Sequence, residues 1–137
     1  AMQFGAHGTT FGGNPLAAAV ARVVLRRLQS AEIAANVQRQ SQALRDGLAR
    51  IDAELGLFSE VRGRGLMLGA VLAPAYAGRA GEVLDHAAAA GLLMLQAGPD
   101  VLRFVPALNI ADDEMAEGLT RLERALRRFV AQAPASA

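Results

Sequence analysis

Between Ile33 and Leu55 the apolar residues return at helical spacing. Ile33, Val37, Leu44, Leu48, Ile51 and Leu55 fall on one stripe, and Arg39, Arg45, Asp46, Arg50 and Asp52 lie opposite. Such a pattern predicts an amphipathic helix of about 25 residues, opened by Ser30 as its cap and closed at Gly56. A helix with one apolar face must be covered by a second layer. The next residues supply one. LFSEVRG alternates apolar and polar as a half-buried strand does, Gly63 and Gly65 bracket a turn, and LMLGAVL is continuously apolar. The two runs predict an antiparallel hairpin.

The rest of the chain repeats this alternation of helix and strand. Asn14-Pro15 predicts a cap and first turn for a helix over about 15–29, with Leu16, Val20, Val23, Val24 and Leu28 at helical spacing. APAYAG reads as a loop, and residues 79–90 as a short alanine-rich helix stopped by Gly91. LLMLQ and VLRFVPAL read as strands around the turn AGPD, the second broken by Pro106. Asp112, Asp113 and Glu114 load the N-terminus of a last helix with a stripe of Met115, Leu119, Leu122, Leu126 and Phe129. The order predicts an α+β fold, a small, mainly antiparallel sheet with helices packed on one face. The 137 residues suffice for a modest core that hides roughly two-thirds of the unfolded surface.

Composition excludes several kinds of chemistry. The formal net charge of +1 gives no field for nucleic acid or an anionic membrane, and no apolar run approaches a membrane span. No basic and apolar leader opens the sequence. Cysteine is absent, which removes disulfides, thiolate metal sites and thiol nucleophiles. The only histidines, His7 and His86, lack the partners of a metal site. His86 reads as a surface residue, and His7 as a loop residue near a ligand or supporting the backbone. All fourteen basic residues are arginine, so no side chain of this chain can form a Schiff base as a lysine does.

Three stretches remain as candidates. In HGTTFGGNP, Gly8, Gly12 and Gly13 permit close backbone approach, while Thr9 and Thr10 offer hydroxyls just before a helix start, a composition suited to a phosphate or to a plain turn. Arg103 stands in the apolar run VLRFVPAL, where its planar fork would meet either solvent or a carboxylate. Arg62 and Arg64 in SEVRGRG read as solvated residues flanking a turn.

Taken together, GTTFGGNPLAAAVA, LFSEVRGRGLMLGAVL, AAAAGLLMLQAGPDVLRFVPALNI and the closing acidic-start helix resemble the C-terminal part of class III aminotransferases, and within them the acetylornithine and succinylornithine branch. The resemblance spans nearly the whole chain, in order. It implies pyridoxal phosphate as cofactor, an N-acylornithine and 2-oxoglutarate (glutamate on the return half) as substrates, and a cytoplasmic homodimer. It implies Thr10 as the ligand of the cofactor phosphate in the neighbouring subunit, Thr9 as a contact on the substrate side, and Arg103 as the partner of a substrate carboxylate. It divides the chain into a phosphate loop with a helix leaving the large domain, 1–29, and a small domain, 30–137. The family's cofactor-bearing lysine, the residue stacking on its ring and the acid at its ring nitrogen belong upstream of the threonine loop. This chain is therefore expected to be an inactive fragment, with apolar surface exposed on the first helix and around Arg103, and prone to self-association. Two other readings stay open: another class III enzyme acting on ornithine or 4-aminobutyrate, and a stand-alone binding or dimerisation module.

Overall fold

The computed structural model describes residues 8–132, so His7 lies outside the described residues. The chain divides into two compact units after Ala34. In the first, helix α1 (Pro15–Leu28) begins as the sequence requires. Asn14 Oδ1 accepts from the Ala17 amide at 2.9 Å, and Pro15 takes the first helical position, where a missing N–H costs nothing. No residue of α1 is buried, and its apolar stripe of Leu16, Val20, Val23, Val24 and Leu28 is exposed, as anticipated for this helix.

Helix α2 (Ala31–Leu55) starts under its Ser30 cap, whose Oγ accepts from the Ile33 amide at 3.3 Å, and ends at Gly56. The second unit holds a four-stranded antiparallel sheet: β1 (Phe58–Arg64), β2 (Met67–Leu72), β3 (Leu95–Gln96) and β4 (Val101–Phe104), in the order β1-β2-β4-β3. Helices α3 (Ala80–Ala89) and α4 (Asp112–Gln132) complete it, with a 3₁₀ turn at Pro74–Tyr76. One sheet face is the core. Leu68, Ala70 and Leu72 of β2 and Leu102 of β4 are buried with Leu48 and Ile51 of α2, Val83 of α3, and Leu122 and Phe129 of α4. Helices thus cover one face only, and the fold is the expected α+β. The hairpin is fixed to α2 by side chains: Ser41 Oγ donates to the Gly65 carbonyl at 2.8 Å, and Arg45 to the Gly63 carbonyl at 2.8 Å.

The structure departs from the sequence reading in four places. β1 is not half-buried along its length; only Phe58 is buried, because β1 is an edge strand with a bulge between Phe58 and Glu60. Of LLMLQ only Leu95 and Gln96 pair, opposite Arg103 and Leu102 of β4. His86 is half-buried rather than a surface residue, its ring edge-on to Phe129 at 6.1 Å. Gln40, a polar residue within the stripe of α2, is 1% exposed. Its Nε2 donates to Asp112 Oδ1 and to the Ile110 carbonyl, which ties the segment after β4 to α2. Asn36 Nδ2 joins it, donating to the Leu108 and Ile110 carbonyls at 2.9 and 3.1 Å. Among the described residues, no helix is long and apolar enough to cross a membrane, and no group of three or more His, Cys, Asp or Glu could hold a metal.

Candidate functional site

The glycine loop is a turn built by its own side chains. Thr9 Oγ1 accepts from the Gly12 amide at 3.1 Å, and Asn14 Nδ2 donates to the Phe11 carbonyl while its Oδ1 caps α1. A Cβ at position 12 would lie 2.2 Å from Thr9 Cγ2, so glycine there is what lets the chain close over Thr9. The two adjacent threonines are therefore not equivalent. The Thr9 hydroxyl is committed to the turn, whereas that of Thr10 makes no hydrogen bond among the described residues, and Thr10 is exposed. A free hydroxyl on a braced loop just before a helix N-terminus suits a phosphate oxygen, so this chain's residues fit that part of a phosphorylated cofactor. They do not fit its aldehyde, which needs a lysine that the chain lacks.

Arg103 lies in the second unit, on the sheet face opposite that unit's helices. Strand alternation decides this: its neighbours Leu102 and Phe104 are buried, and Arg103 is exposed. β4 is an inner strand, with β2 on one side and β3 on the other, so Arg103 is not the edge-strand residue that the run VLRFVPAL also allowed. Among the described residues no carboxylate forms an ion pair with it. It borders a cavity of about 160 Å³ whose wall is mainly apolar, with Leu92, Met94, Phe104, Ile110 and Met115 among its residues. An exposed, unpaired guanidinium can hold a carboxylate in two parallel hydrogen bonds.

The sequence reading placed Arg62 and Arg64 beside a turn. In the structure both belong to β1 and share the open face with Arg103. The Gln40 and Asn36 brace on the segment after β4 was missed. The only sequence signal for it is two amides on an amphipathic helix, and these read equally well as solvated residues.

The description "Aminotransferase class-III" fits a family whose model matches residues 1–126, and the chain belongs to this family. Among individual relatives, the acetylornithine aminotransferase of Xanthomonas campestris pv. campestris is 72% identical over 131 residues, covering 96% of this chain and 32% of that protein. The succinylornithine transaminase of Photorhabdus laumondii subsp. laumondii is 50% identical over 129 residues, covering 94% and 32%. The crystal structure of N-acetylornithine aminotransferase from Stenotrophomonas maltophilia matches with a TM-score of 0.85 and 73% identity, over 88% of this chain and 33% of that one. The chain thus spans about a third of the length of the relatives it matches.

Proposed function

We propose that this chain is the C-terminal part of a pyridoxal phosphate-dependent acetylornithine aminotransferase. The complete enzyme is then a cytoplasmic homodimer that moves the amino group of an N-acylornithine to 2-oxoglutarate. The observation that carries the reading is the 72% identity to an acetylornithine aminotransferase across 96% of the chain.

When bound, pyridoxal phosphate supplies the electron sink for amino transfer. The chain's own residues bind and orient. Thr10 donates its hydroxyl to a phosphate oxygen of the cofactor in the neighbouring subunit, and its free hydroxyl supports that role. Thr9 holds the turn through Gly12 and presents the loop on the substrate side. Arg103 takes a substrate carboxylate in a bidentate pair, which fixes the substrate's orientation before any bond changes. The small domain, 30–137, carries that arginine, and residues 1–29 carry the loop. With no lysine, the chain by itself has no side-chain amine to hold the cofactor covalently or to move a substrate proton, and it is inactive alone.

The test is Thr10→Ala and Thr10→Ser in the full-length enzyme, with cofactor retention followed by absorbance during dialysis. Loss in the alanine variant and recovery in the serine variant are expected. Unchanged retention in Thr10→Ala refutes the phosphate role. Parallel rates with acetylornithine, succinylornithine, ornithine and 4-aminobutyrate decide the amino donor.

A further inference from the structure

The register of the sheet sets a second cation beside Arg103. Arg62 of β1 lies opposite Gly69 of β2, and Gly69 lies opposite Arg103 of β4. All three positions belong to the open face, because Leu68, Ala70 and Leu102, the alternate positions, are buried. The residue between the two arginines has no side chain, so no side chain from β2 stands between them. Two strand spacings put their Cα atoms roughly 10 Å apart. Arg64 falls on the same face opposite Met67, and Glu60 opposite Val71. The face thus carries three arginines and one glutamate along these rows. Among the described residues Arg62 is held by Glu60 alone, at 3.2 Å, and both side chains are more than half exposed (61% and 53%). Such a pair is weak and easily exchanged for another carboxylate.

We propose that Arg62 and Glu60 are a specificity-determining pair for anionic substrates. Arg62 raises the potential over Gly69 and attracts a dicarboxylate toward Arg103, and Glu60 moderates it. The inference rests on the carboxylate role of Arg103 given above. Arg62 acts on the substrate through space; Arg103 makes the contact.

The size of the effect follows from the spacing. One unit charge at roughly 10 Å in a water-like medium changes anion affinity about two-fold, and the effect vanishes when salt shortens the screening length to a few ångströms. Glutarate, an unreactive dicarboxylate, is titrated calorimetrically into the full-length enzyme loaded with cofactor, at low and high salt. The Kd should rise about two-fold in Arg62→Gln and about four-fold in Arg62→Glu, and fall about two-fold in Glu60→Gln. Arg62→Lys should match the parent, and all differences should disappear at high salt. In turnover, the change should fall on KM for 2-oxoglutarate rather than on kcat. A purely structural role would not give opposite signs for Arg62→Gln and Glu60→Gln. If Arg103→Gln abolishes glutarate binding while the Arg62 and Glu60 variants leave Kd unchanged at low salt, this proposal is wrong and the role of Arg103 stands. If Arg103→Gln leaves Kd unchanged, both fall.

Discussion

Gly63→Ala tests the hairpin that carries Arg62, and its cost can be worked out from the backbone. Gly63 has φ of 129°, a conformation L-residues avoid, and a Cβ there would lie 2.1 Å from the Met67 carbonyl oxygen and 2.9 Å from Leu68 Cα. Neither neighbour is a flexible side-chain end; both belong to the paired strand β2, so the hairpin must open to admit a methyl group. Backbone strain contributes about 1–3 kcal/mol. The steric displacement adds about 1–3 kcal/mol. The sum, about 2–6 kcal/mol, is a large share of the ~5–15 kcal/mol that holds a typical domain. Gly56→Ala provides the control. Its φ is 61°, but a Cβ there meets nothing within 4 Å, so only the left-handed backbone penalty of about 1–2 kcal/mol applies. Urea unfolding followed by far-ultraviolet circular dichroism gives both values from the midpoint at constant slope. Gly63→Ala should lose at least about 1 kcal/mol more than Gly56→Ala, the lower end of the steric contribution. Equal losses would refute the claim that β1 and β2 approach too closely here for any side chain.

Three further outcomes follow from the same geometry. Gln40→Leu removes a buried donor, but Asp112 keeps Arg39 at 3.0 Å and the Ile110 carbonyl keeps Asn36. The loss should therefore stay near ~1.5 kcal/mol, a fall in Tm of roughly 4–6 °C by thermal denaturation. Arg103→Lys in the full-length enzyme should raise KM for carboxylate substrates at least about ten-fold, because lysine replaces a two-pronged fork with a single charge; steady-state kinetics with unchanged KM would count against the assignment. Hydrogen bonds from Arg127 and then Arg50 hold the Glu123 carboxyl below its ordinary value of 4.5. A lowered folded pKa stabilises the fold above the unfolded value and loses that contribution as pH falls through the folded one. Stability should thus decline as pH drops below about 4.5, and Glu123→Gln should flatten that decline in urea titrations at successive pH values.

Local rules determined much of this protein from its sequence. Asn14-Pro15, Ser30 and Gly56 set the ends of α1 and α2, because capping groups act within a turn of where they stand. The stripes of α2 and α4 announced a covered helix face, and the switch to period two announced the hairpin. The glycines and threonines around Thr9 and Thr10 were also legible as a loop ahead of a helix start. What the sequence could not assign was which of the two hydroxyls is free: the hydrogen bond from the Gly12 amide takes Thr9 and leaves Thr10. Strand order lay further still from the local pattern. Pairing β2 with β4 joins segments about thirty residues apart, and only that pairing makes Arg103 an inner-strand residue on an open face. The same pairing brings Arg62 into its row across Gly69. Burial of Gln40 likewise depends on a segment some seventy residues away. Helix caps and periodicity are properties of neighbours in the chain. Which cations share a face, and which polar side chain is buried, are decided by contacts between distant segments, and only the folded chain contains those.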